Sequence, residues 1–93
     1  MIIRQGMEAK LRAALQPEQM DIIDESQRHA SHGGGHPDGE SHFRMRIVAA
    51  AFAGKSRVAR HRLVHEILAD ELRERVHALS LETLTPEEAA AAA

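Results

Sequence analysis

The sequence predicts an α+β fold, a two-layer sandwich in which two helices cover one face of a mixed three-stranded sheet. Three observations predict it. Apolar residues recur at helical spacing in two stretches, they alternate at strand spacing in others, and the breaks between them give the order α-β-β-α-β. The third strand follows the second across a helix, and a right-handed crossover of that kind makes the two strands parallel.

The first helix rests on Ile3, Met7, Leu11, Ala14 and Leu15, and it ends at Gln16-Pro17, because proline disfavours helical geometry in the residue before it. It is expected over residues 2–15. MDIIDE, residues 20–25, is too short for a helix to complete its turns and carries two β-branched isoleucines, so it is read as a strand. Gly33, Gly34, Gly35, Pro37 and Gly39 then exclude regular structure and mark a loop.

From His42 the stretch HFRMRIVAAAF sets Phe43, Met45 and Ile47 on one face and Arg44 and Arg46 on the other, as a strand with one wet face requires. Phe52, Gly54 and Lys55 form a turn. Ser56 is placed to cap a helix whose apolar stripe is Leu63, Val64, Ile67, Leu68 and Leu72, expected to run to about residue 74. VHALSLETL, residues 76–84, alternates again with His77, Leu79 and Leu81 on one face, and Thr85-Pro86 ends it. The closing EEAAAAA favours helix but has no apolar partner face, so residues 89–93 are expected to fray. No internal repeat is visible.

At 93 residues, 43% hydrophobic and 28% charged, the chain has the composition of one small globular domain, with only Phe43 and Phe52 as aromatic filling. It contains no cysteine, which rules out disulfides and any thiolate metal site made from its own sulfurs. The N-terminus has an apolar residue every three or four positions rather than an unbroken apolar run, so a signal peptide or membrane span is not expected and a cytoplasmic protein is. Net charge is −2, which offers no global attraction to nucleic acid. Between Glu40 and Glu66, however, there is no acid, while Arg44, Arg46, Lys55, Arg57, Arg60 and Arg62 fall there. That basic set reads either as a local phosphate-binding surface or as a solvated charged face without the aromatic residues that stack on bases.

Catalytic patterns are missing. There is no nucleophile in a strand-turn-helix setting, and the Gly54-Lys55-Ser56 end of a phosphate loop lacks its earlier glycine. RHRLVHE puts His61 and His65 one helical turn apart without a glutamate directly after the first histidine, so it is not a helical zinc motif and His61 reads as structural or surface. The concentration of histidine is the unusual feature. RHASHGGGHPDGESHF, residues 28–43, holds His29, His32, His36 and His42, four of the chain's 7 histidines. It reads as a solvated polar loop or as a metal-binding loop whose glycines let imidazoles converge at an entropic cost. His42 already belongs to the strand and separates from that group. His77 reads on pattern, with equal weight, as a core histidine satisfied by a backbone carbonyl or as a functional one.

DES (Asp24 to Ser26), a loop histidine, ESHFRMRIV (Glu40 to Val48), FAGKSRVARHRLV (Phe52 to Val64) and VHALSLETLTPEE (Val76 to Glu88) together resemble the BolA-like proteins, over residues 3–88 and in the same order. The resemblance implies a class II KH-like fold with a short extra helical turn, a BolA-like domain over residues 1–88, and a protein that is not an enzyme. It implies a partner, a monothiol CGFS-type glutaredoxin, and a glutathione-ligated [2Fe–2S] cluster shared between the two chains. His77 matches the family's C-terminal cluster ligand, and His29 or His32 matches its loop ligand, with the insert SHGGGHPDG leaving the choice between those two open and His36 third. Mixed sulfur and nitrogen ligation raises the potential of such a cluster. The resemblance also implies a rival role as a DNA-binding regulator through the basic set, although the KH phosphate clamp GxxG is absent at Gly54 to Arg57. Alone, the chain is expected to be a monomer or weak homodimer with no membrane association.

Overall fold

The computed structural model describes residues 2–25 and 42–92. Its elements are α1 (Ile2–Leu15), β1 (Gln19–Asp24), β2 (His42–Val48), a 3-10 turn (Ala50–Phe52), α2 (Arg57–Ile67), α3 (Ala69–Glu74), β3 (Ala78–Leu84) and α4 (Pro86–Ala92). The sheet order is β1-β2-β3, with β1 antiparallel to β2 and β2 parallel to β3. This is the mixed three-stranded α+β sandwich expected, in an arrangement compatible with the KH-like topology.

Strand alternation sorts the central strand as its sequence demands. Phe43, Met45 and Ile47 are buried with Met7, Leu11, Phe52, Val64 and Leu68, while Arg44 lies exposed on the opposite face. In β1 the adjacent isoleucines divide in the same way, Ile22 buried and Ile23 exposed. From α1, Met7, Leu11 and Leu15 enter the core and Ile3 packs at its margin, whereas Ala14 is left outside. The helix stops where Gln16 turns into the left-handed region at φ 48°, one residue before Pro17.

Helix α2 begins as expected: Ala59 N–H donates to Ser56 Oγ at 3.1 Å, satisfying one of the unpaired amides of its first turn. The helix expected to run unbroken to residue 74 is instead two segments, separated at Leu68. Leu68 is fully buried and its φ of −101° and ψ of 20° lie outside helical values, so the break re-aims the chain while keeping this side chain in the core. Lys10 Nζ on α1 meets the carboxylate of Glu71 on α3 at 2.8 Å, tying the shorter segment to the first helix.

Two further expectations are corrected. Strand β3 starts at Ala78, not at residue 76, and His77 does not share the half-buried face of Leu79 and Leu81. Val76 takes the core position at the junction, and the residue after it is turned outward. The alanine-rich tail, expected to fray, is helical to Ala92. Thr85 and Glu88 form a reciprocal capping box: Thr85 N–H donates to Glu88 Oε1 at 2.9 Å and Glu88 N–H donates to Thr85 Oγ1 at 3.1 Å. That start, together with a contact to Arg60, gives the short helix the anchor that its alanines lack.

Candidate metal centre

His77 is placed by the chain on either side of it. The backbone N–H groups of Arg75 and Val76 both donate to the carbonyl of Glu71, at 2.9 and 2.8 Å, which closes the end of α3. Val76 is then buried and Ala78 opens β3, so His77 stands between an anchored apolar residue and the first ladder position, with its side chain exposed. The core-histidine reading is excluded: an exposed imidazole has nitrogen available to a partner.

Beside it lies a histidine that the sequence reading set apart. His42 begins β2, and the parallel register pairs it with Ala78, the residue after His77. The two imidazole rings meet edge to face, with centroids 5.8 Å apart and planes at 70°. His42 is nearly enclosed, at 8% exposure, and its carbonyl accepts from Glu25 N–H at 2.7 Å. Glu25 in turn pairs with Arg44 at 3.2 Å. His29 and His32, the loop histidines matched to the second ligand, lie outside the described residues, as does His36.

His77 offers one exposed nitrogen donor. Among the described residues no group of three or more His, Cys, Asp or Glu side chains is gathered to hold a metal ion. An exposed nitrogen donor in a chain without cysteine is suited to complete a coordination shell begun elsewhere, because imidazole replaces thiolate on iron in mixed-ligand clusters.

The six basic residues do not form one surface. Arg44 and Arg46 project from the open face of the sheet, where Arg46 meets Glu82 at 3.3 Å and Gln19 at 3.1 Å. Arg60 is consumed by structure: it donates to the carbonyls of Lys55 (2.9 Å) and Thr83 (3.0 Å) and to Glu88 (2.6 Å), and its guanidinium sits 6.0 Å from the centroid of Phe52. Lys55, Arg57 and Arg62 remain exposed at the start of α2. His61, read as structural or surface, is half-buried, and its Nε2 is enclosed without a hydrogen-bond partner among the described residues.

Residues 11–88 match the family model described as BolA-like protein. The chain belongs to the BolA-like family. Its BolA-like sequence is 46% identical over 89 residues to an uncharacterized protein encoded in the cobS 5′ region of a Sinorhizobium species, a match covering 95% of this chain and 96% of that one. It is 44% identical over 88 residues to the DNA-binding transcriptional regulator BolA of Escherichia coli, covering 95% of this chain and 80% of that protein. The solved BolA domain of SufE1 from Arabidopsis thaliana superimposes with a TM-score of 0.81 at 45% identity, covering 90% of this chain and 92% of that one. In the full-length SufE-like protein 1 of that plant the matching region is only 22% of the length.

Two of the stretches that carry the resemblance, Phe52 to Val64 and Val76 to Leu79, fall within the matched residues. Phe52 and Val64 of the first share the core with Val76 of the second, and His77 of the second meets His42 at the beginning of the β2–β3 pair. No local pattern foretold the pairing of His42 with His77. The available signal was the parallel crossover itself, which sets the first residues of β2 and β3 side by side.

Proposed function

We propose that this BolA-like protein is a non-enzymatic adaptor for an iron–sulfur cluster, acting in complex with a monothiol CGFS-type glutaredoxin and sharing with it a glutathione-ligated [2Fe–2S] cluster. The exposed imidazole of His77, set between buried Val76 and the first residue of β3, carries this reading. His77 supplies one nitrogen ligand and His29 or His32 a second, while the glutaredoxin cysteine and glutathione supply sulfur. The cluster, as cargo, contributes a one-electron couple whose potential is raised by nitrogen ligation. This chain's part is to hold an exposed imidazole toward the partner, and its lack of cysteine accords with a site completed from outside.

Mixing the protein with a monothiol glutaredoxin, glutathione, iron and sulfide, then recording visible absorption and circular dichroism, tests the reading. A spectrum distinct from that of the glutaredoxin homodimer, lost with His77→Ala, is expected. A homodimer spectrum that His77→Ala leaves unchanged rejects it.

A second reading is favoured by the name of the E. coli relative, a DNA-binding transcriptional regulator. Its residues in this chain are the exposed Lys55, Arg57 and Arg62 at the start of α2, where cations and helix-terminal amides are both presented. Arg60 is a poor probe of it, because its substitution also breaks the contacts to Thr83 and Glu88. DNA affinity that falls with salt and weakens with Arg57→Glu and Arg62→Glu together supports this reading. Affinity untouched by that pair removes it.

A further inference from the structure

We propose that His42 is a positioning residue for His77, its ring holding the His77 imidazole in the orientation that ligation requires. This inference rests on the cluster reading above and adds a residue to it. The two histidines are held in very different ways. His42 sits on the central strand, with its carbonyl bonded to Glu25 N–H at 2.7 Å on one side and Ala78 as its register partner on the other. Its side chain is 8% exposed. His77 lies in the short junction between α3 and β3, fixed through its neighbours, with its own side chain exposed.

An exposed imidazole on a junction samples several rotamers, and a metal that selects one of them must overcome that entropy. The ring of His42 supplies the constraint. At 5.8 Å between centroids and 70° between planes, the contact is an edge-to-face pair within the favourable range for aromatic rings. The enclosed ring stands behind and the exposed ring reaches outward, so His77 is the ligand and His42 the wall it leans on. Outer partners that orient a ligating histidine commonly change metal affinity by about 10–100-fold when removed.

Four proteins test this: wild type, His77→Ala, His42→Phe, which keeps an aromatic ring, and His42→Leu, which keeps bulk without one. Each is checked for fold by thermal melting and then loaded with cluster together with a monothiol glutaredoxin and glutathione. The readouts are nitrogen hyperfine coupling in the reduced cluster, by pulsed electron paramagnetic resonance, and cluster half-life against a chelator. We expect His42→Phe to match wild type and His42→Leu to shorten the half-life about ten-fold with a weakened nitrogen signal. If His77→Ala alters the cluster and His42→Leu does not, the positioning role is overturned and the cluster reading stands. If His77→Ala changes nothing, both fall. In the metal-free wild type, nuclear Overhauser contacts between the two rings are expected, and a freely averaging His77 ring overturns the proposal without any variant.

Discussion

Arg60 Nη1 donates to Glu88 Oε1 at 2.6 Å, joining the first half of α2 to the C-terminal helix across 28 residues of sequence. The same nitrogen also donates to the carbonyl of Thr83, so one guanidinium ties the helical layer, the end of β3 and α4 together. Its side chain is only 11% exposed. Arg60→Ala leaves the Thr83 carbonyl without this donor and removes the cation from the Phe52 ring, and it is expected to cost about 1–3 kcal/mol, measured by urea unfolding. Arg60→Lys should recover only part of that loss, because a single ammonium does not reproduce the fork.

The carboxylate of Glu88 is held down to about 2, first by the hydrogen bond from Arg60 and then by the Thr85 backbone N–H. A group whose folded value is depressed contributes stability that is complete above its unfolded value near 4.5 and is lost as pH falls toward 2. Acid unfolding of the wild type should therefore steepen across that window. Glu88→Gln should flatten the dependence there, and a curve that keeps its wild-type shape would contradict the assignment.

His61 makes the corresponding contribution at higher pH. Its value is lowered from 6.5, chiefly by burial and then by His65 and Arg57, its charged neighbours. The unfolded chain thus takes up a proton there more readily than the folded one, and stability is complete above 6.5 and falls as pH drops below it. His61→Leu should reduce the decline below pH 6.5, read as a smaller shift in melting temperature.

Leu68 is fully buried at the break between α2 and α3. Leu68→Ala is expected to cost about 2–5 kcal/mol, because the cavity opens where two helical segments and the sheet converge. Leu68→Met should cost under about 1.5 kcal/mol. Equal losses from the two would show that side-chain volume is not what matters at this position.

Among the described residues, two share the left-handed region with opposite consequences. Gln16, at φ 48°, bears the strain of a side chain there, whereas Gly54, at φ 76°, avoids it. Gln16→Gly should relieve about 1–2 kcal/mol of strain and give back part of it as unfolded-state entropy, for a gain of about 0.5 kcal/mol and a few degrees in Tm. Gly54→Ala meets no neighbouring atom within 4 Å, so its expected loss of about 1 kcal/mol reports backbone conformation alone.

Sequence alone determined the fold class, the order of its main elements, the two faces of β2 and the Ser56 cap, because periodicity, alternation and capping are local properties of the chain. It also marked His77, through the family resemblance, and a composition without cysteine. Tertiary structure decided the rest. Whether His77 was core or surface depended on Val76 filling the core place beside it, and the break at Leu68 followed from keeping that side chain buried while the chain turned. The alanine tail became a helix because Arg60, distant in sequence, reached Glu88. His42 joined His77 only because a parallel pairing set the beginnings of two strands together, and a contact made by register has no spacing in the sequence by which to read it.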